Sequence, residues 1–328
     1  MAHRICFTGR SALTIARSIA QEELRALRRR ALPAPVPPKR VLDDLVAEFE
    51  RANPQIALEK PVELAFGSTA QRRSRPGYAM RFFSGTLSAG SLFGLDGDAV
   101  AAAPPLALAH VALDERDDIA VLEYLWEACG AYRTARTRAS GETAYQLLPL
   151  TSARRIDRFL ALNSTVAGTR RLARLLKYTR DGSESPRETK LALLLGLPMS
   201  LGGYGAGMPQ MNFAVSASPE AQSISGKSGF RCDLCWPDAQ LDVEYQSFER
   251  HSGETSRQRD SRRANALASM GWTVINVTNE ELDSYAAMNS IAKAVFKHLG
   301  KRQRVRVDRY HARKLTLRRK LGLPVGYE

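Results

Sequence analysis

Cysteine is scarce in this sequence, with only Cys6, Cys129, Cys232 and Cys235 among 328 residues. Four thiols so widely scattered exclude a disulfide-stapled scaffold and fit a reducing compartment. Long apolar runs are missing as well, and no stretch approaches the roughly 20 residues that a membrane-spanning helix needs. The opening residues, Met1-Ala-His-Arg-Ile-Cys-Phe-Thr-Gly-Arg10, hold neither a sustained apolar segment nor a small-residue cleavage pattern. A secretory signal is therefore not expected, and a cytoplasmic location is. There is no internal repeat and no low-complexity tract. Acid is in deficit: 34 Asp+Glu stand against 48 Lys+Arg, a formal net charge of +14.

That surplus points to a polyanion. The segment from Lys301 to Lys320 is dense in cations but lacks the bulky apolar face of an interfacial helix, so a membrane is not the expected partner. A phosphate backbone is: DNA, with RNA as the alternative, met by Arg302, Arg304, Arg306, Arg318, Arg319 and Lys320. The plainer reading is a solvated basic tail.

Helical spacing of Ala12, Leu13, Ile15, Ala16, Ile19, Leu24 and Leu27 predicts an amphipathic helix near Ser11 to Arg30. The proline-rich linker Leu32-Pro-Ala-Pro-Val-Pro-Pro38 ends it, and Val41, Leu42, Leu45, Val46 and Phe49 mark a second helix. Residues 1–60 thus read as a helical module. Short apolar runs at Val62–Phe66, Tyr78–Phe83 and Ser91–Phe93 predict a small sheet, and apolar stripes at Leu106–Val111, Ala120–Trp126, Ser152–Leu162 and Val166–Tyr178 predict helices. These make a mixed α+β middle domain over 61–180, followed by a domain over 181–300 and a basic tail over 301–328.

The chemistry concentrates in 181–300. Ser185-Pro-Arg-Glu188 before an apolar run is a helix start, so Glu188 reads equally as a capping-box acid and as a site residue. Phe230–Trp236 and Leu241–Gln246 read as a hairpin. Alternation puts Leu241, Val243 and Tyr245 on one face and Asp242, Glu244 and Gln246 on the other. With Trp236 opposite Leu241 as the final pair, Asp233 falls opposite Glu244 and Arg231 opposite Gln246. Facing carboxylates repel unless a cation or a proton intervenes. Two hard oxygen ligands, Asp233 and Glu244, are what Mg²⁺ or Mn²⁺ takes; two solvated acids are the alternative. Cys232 and Cys235 have the CxxC spacing without a second metal-binding pair, and read as core residues. A helix over Glu254–Met270, ended by Gly271, a strand Trp272–Thr278 and a closing helix through Leu299 complete an α/β arrangement. Asp260 with Arg263, at i and i+3, either supports the site or is an ordinary surface ion pair, and the second is the expected reading.

The run Arg231-Cys-Asp-Leu-Cys-Trp-Pro237, then Leu241-Asp-Val-Glu-Tyr245, His251, and Arg259-Asp-Ser-Arg-Arg263 with Leu267, Gly271, Trp272 and Val274 resembles the PD-(D/E)XK restriction-endonuclease-like domain related to very-short-patch-repair nucleases. The resemblance implies a mixed sheet flanked by helices and a metal-dependent DNA endonuclease. Asp233 and Glu244 would bind the metal and Glu188 would match the leading glutamate. Gln246 stands where that pattern asks for lysine; it can orient a water but supplies no charge, and Arg231 or Lys227 is the candidate replacement. His251 is either a proton shuttle or phosphate contact, or an ordinary loop histidine. The rest of the chain resembles, more faintly, proteins that set such a domain behind an abortive-infection-antitoxin-like module. A nuclease-fold DNA-binding regulator without the chemistry is the rival expectation.

Overall fold

The computed structural model describes residues 4–19, 25–26, 31–68, 75–95, 99–134, 142–246 and 254–326, and the chain separates into two compact units, Met1–Thr179 and Arg180–Glu328. Each has a mixed sheet flanked by helices, so the α/β class expected from the sequence is the class observed.

The first unit runs β1 (Ile5–Phe7), α1 (Gly9–Ser18), β2 (Arg25–Ala26), α2 (Lys39–Ala52), β3 (Val62–Phe66), β4 (Tyr78–Phe82), β5 (Leu92–Gly94) and β6 (Ala99–Ala102), then α3 (Pro104–Asp114), α4 (Asp118–Cys129), α5 (Ala153–Leu162) and α6 (Thr169–Leu176). Its sheet has the order β2-β5-β6-β1-β3-β4. Residues before 60 are therefore no separate helical module: Ile5, Cys6 and Phe7 form an interior strand, parallel to β6 and antiparallel to β3. Three fully buried apolar residues in a row suit a strand covered on both faces. The first helix also stops short of Arg30. Ile19 takes an extended backbone, and Arg25–Ala26 pair with β5, a tertiary pairing that overrides the helical periodicity. The prolines that follow do not make a free linker, because Leu32 and Val36 are buried and Gly67 donates its N–H to Pro33 O at 2.8 Å.

The second unit runs α7 (Pro186–Gly196), β7 (Gln210–Ser216), α8 (Pro219–Ser225), β8 (Gly229–Trp236), β9 (Leu241–Gln246), α9 (Glu254–Ser269), β10 (Thr273–Thr278), α10 (Asn279–Asp283), α11 (Tyr285–His298) and α12 (Tyr310–Lys320). The sheet order is β10-β9-β8-β7: β7, β8 and β9 are antiparallel neighbours, and β10 lies parallel to β9 after the α9 crossover. Helix α7 packs on β8 and β9, while α8 and α9 pack together and α9 also meets β10. Cys232 and Cys235 are buried free thiols in a core with Phe230, Ala266 and Leu267, which is the structural role read from the sequence. The closing helix is two helices, with Ser284 capping the start of α11 through Ala287 N.

The segment 301–328 is not wholly a solvated tail. Tyr310, Leu317, Leu321 and Leu323 are buried, and the Tyr310 hydroxyl donates to Gly203 O at 2.9 Å. The Lys314 ammonium sits 4.8–5.2 Å from the ring centres of Tyr204, Tyr285 and Tyr310 and donates to Asn289 Oδ1 at 2.7 Å. Cation–π attraction of this kind fastens α12 to the unit. Among the described residues no helix is long and apolar enough to cross a membrane.

Candidate functional site

The hairpin of β8 and β9 pairs in the register expected from its loop: Trp236 with Leu241, Cys235 with Asp242, Leu234 with Val243. At the next level the backbone pairing gives way to a side chain, and the Asp233 carboxylate accepts the Tyr245 N–H at 3.0 Å. On the other flank of β8 the ladder to β7 skips the same level, where Asn212 takes φ +48° and gives its side-chain amide to Gly182 O at 2.6 Å. Asparagine is one of the few residues that tolerates the left-handed region. Asp233 is thus set into a gap in the sheet, fixed by a backbone donor.

Helix α7 delivers the next acid. Ser185 caps it by accepting from Glu188 N at 3.1 Å; Glu188 Oε1 takes the Ser185 hydroxyl and Oε2 takes the Glu184 N–H, each at 3.0 Å. The capping reading of Glu188 is the one seen, and this buried acid also acts electrostatically on Asp233. Burial first, then the charges of Glu244 and Glu188, push the Asp233 carboxyl up to about 7. Asp233, Glu244 and Glu188 form one electrostatic group, drawn from two adjacent strands and a helix.

The cation beside these acids is Arg263 of α9, not Arg231. Its Nη2 contacts Glu244 Oε1, stands 3.5 Å from Asp242 Oδ2 and donates to Arg231 O at 2.7 Å. Its guanidinium carbon lies 5.7 Å from the Phe230 ring centre. Arg263 therefore turns onto the sheet rather than serving as a plain surface partner. Arg231 pairs across β7 with Ala214, and its guanidinium contacts Glu184, so it does not face Gln246. The skipped level at Asp233 is the reason: register beyond that break no longer projects onto β9.

Asp242 is the residue that sequence reasoning passed over. It is 0% exposed, and among the described residues neither carboxylate oxygen has a hydrogen-bond partner. Burial, with Glu244 and Cys232 beside it, raises its carboxyl well above the ordinary range, so it holds a proton at neutral pH. The signal was the alternation that put Asp242 on the same side as Glu244.

Gln246 donates its amide to Asn276 Oδ1 at 2.8 Å. With Glu244, Asp260 and Arg263 these two amides line a cleft of about 70 Å³, room for two or so waters, near the carboxyl ends of the parallel strands β9 and β10. His251 lies outside the described residues. Lys227 is exposed between α8 and β8; Arg302, Arg304, Arg306, Arg319 and Lys320 are exposed as well. Arg318 is not a surface contact: it is 2% exposed and donates to Pro324 O at 2.7 Å, to Leu282 O at 3.2 Å and to Asp283 O. A guanidinium can satisfy several carbonyls at a helix end, which removes it from any groove.

For Mg²⁺ or Mn²⁺ the donor chemistry of Asp233 and Glu244 fits, since hard oxygens from one or two carboxylates are what such ions take. A half-buried acid raised first by desolvation and then by two like charges is also a place that a divalent cation would relieve. Among the described residues, however, no three His, Cys, Asp or Glu side chains stand grouped as a metal cage. Glu188 is engaged in its cap and Glu244 with Arg263.

Fold and site together define an α/β protein with a partly buried acid cluster in its second unit. The chain is similar to two uncharacterized proteins of Mycobacterium tuberculosis, from strains CDC 1551 / Oshkosh and ATCC 25618 / H37Rv. Each is 27% identical over 111 residues, which is 33% of this chain and 35% of the relative. The chain thus spans about a third of the length of the curated relatives it matches. No protein-family model and no solved structure matches it.

Proposed function

We propose that the second unit is a metal-dependent DNA endonuclease domain of the restriction-endonuclease-like class, acting in defence or DNA repair. The observation that carries this reading is the grouping of Asp233, Glu244 and Glu188, in which burial and then the two other acids raise the Asp233 carboxyl. Asp233 and Glu244 would hold Mg²⁺ or Mn²⁺. The ion, when bound, supplies an activated water and neutralises charge building on a phosphodiester. The residues of the chain do the rest: Tyr245 N–H fixes Asp233, Arg263 orients Glu244, and Gln246 with His251 positions water or phosphate. Exposed Arg302, Arg304 and Arg306 hold the nucleic-acid backbone.

The test is incubation of the purified chain with supercoiled and with single-stranded DNA in Mg²⁺ or Mn²⁺, beside Glu244→Ala. Cutting by the unaltered chain alone supports the nuclease; equal cutting by Glu244→Ala sinks it. A second reading, a DNA-binding regulator that keeps the nuclease fold and resembles antitoxins, is favoured by one observation. Gln246 occupies the lysine position and its amide is spent on Asn276. Salt-sensitive binding without cutting supports that reading.

A further inference from the structure

A second feature belongs to the first unit, whereas the acid cluster belongs to the second, and it goes beyond the nuclease reading. A cavity of about 260 Å³ opens between the start of α3, the start of α5 and the segment before β5. This is just under the roughly 300 Å³ at which small-molecule sites usually begin, so it suits a compact ligand partly left in solvent. Its wall is divided. Phe93, Leu150 and Phe159 give an apolar side, while Arg155 and Arg158 stand at the polar side.

Three observations give this cavity an anionic occupant. Arg155 and Arg158 are exposed, and among the described residues neither has an ion pair. Thr151, in the same wall, is 4% exposed, and among the described residues its buried hydroxyl has no hydrogen-bond partner. A buried hydroxyl without a partner is costly unless something supplies one. Helix α5 begins at the cavity and has no acid in its first turn. The start of a helix carries partial positive charge, so this end favours an anion. Helix α3 also starts there, but Pro104 and Pro105 have no N–H, so it gives the cavity no backbone donor from those positions.

We infer that this cavity binds an organic phosphate, with the phosphate on Arg155, Arg158 and the Thr151 hydroxyl and an apolar or aromatic body against Phe93 and Phe159. A free mononucleotide and the phosphorylated end of a nucleic acid share that chemistry. Guanidinium groups suit it because their planar forks match phosphate oxygens. The apolar wall distinguishes it from a site for inorganic phosphate alone.

Calorimetric titration of the full chain with AMP, with adenosine and with a short 5′-phosphorylated oligothymidine tests the assignment. Binding of AMP or of the oligonucleotide, with adenosine about tenfold weaker or worse, is the expected result. Preference for AMP assigns a free nucleotide, and preference for the oligonucleotide assigns a nucleic-acid end. In R155A/R158A the affinity falls about tenfold or more, and in Thr151→Val about threefold. Binding of neither phosphate, adenosine binding as tightly as AMP, or a folded R155A/R158A that binds like the unaltered chain would each overturn the inference. If R155A/R158A melts early, the single variants Arg155→Gln and Arg158→Gln carry the same comparison. Loss of DNA cutting in Glu244→Ala leaves this result untouched, since that variant alters only the second unit.

Discussion

His110 shows how a single side chain can set the acid limit of a whole unit. It is buried in α3 with its Nδ1 2.5 Å from the Thr8 hydroxyl, and burial together with nearby Arg81 lowers its pKa to about 4. An imidazole with a folded pKa below its unfolded value near 6.5 gives stability that is present above the unfolded value. That stability is lost as pH falls from about 6.5 toward about 4. The loss should reach roughly 3 kcal/mol in the first unit, from a shift of about 2.5 pKa units. Urea unfolding of the chain at pH 7 and pH 4.5 measures it, and His110→Asn should flatten the difference; an unchanged acid sensitivity in that variant would count against this account. In the second unit, Arg263→Ala should cost about 2 kcal/mol, because Glu244 loses the cation on it and the Arg231 carbonyl loses its donor. Asp242→Asn should cost less than about 1 kcal/mol at pH 7, since the native acid is itself protonated there. Thermal melts of the two variants compare these directly, and a reversed order would place the ionised charge on Asp242.

At the scale of elements, the start of α7 combines a helix cap with an acid of the cluster. Ser185→Ala should destabilise the helix end by about 1 kcal/mol. Glu188→Gln keeps an acceptor for the cap while removing the charge, so it should lower the Asp233 pKa with little loss of stability. Carboxyl titration of Asp233 by NMR reads that shift, and an unmoved Asp233 would separate Glu188 from the cluster. Much of this was legible beforehand. The Ser185–Glu188 spacing marks the cap, and the four-residue loop after Trp236 fixes the register that the hairpin adopts. What could not be read was the break at Asp233: a carboxylate replacing a ladder carbonyl depends on Asn212 and its left-handed backbone, on a strand in a segment that sequence reasoning left unassigned. The apolar alternation Met211, Phe213, Val215 would have found that strand. Arg263 was misread for a related reason. Its partners lie on a strand distant in sequence, whereas helical spacing reveals only neighbours on its own helix.

Across the whole molecule, the surplus of positive charge is divided between residues that can meet a polyanion and residues that hold the fold. Arg302, Arg304 and Arg306 are exposed in the segment between α11 and α12, so replacing all three by alanine should reduce the slope of log affinity for duplex DNA against log salt by about 2 to 3. Arg318→Ala should act differently. Three carbonyls lose their donor, so the second unit should lose about 2 to 4 kcal/mol, as unfolding measurements would read. Weakened DNA retention in a fully stable Arg318→Ala protein would contradict its buried role.

The double engagement of Glu188 also ties chemistry to local opening. The first turn of α7 carries one acid of the cluster, so when that turn frays the acid leaves Asp233 and the local charge falls without any large movement. Amide exchange in that turn would then follow the protonation of Asp233, and anything that pins the acids together would slow exchange at a helix end some residues away in sequence.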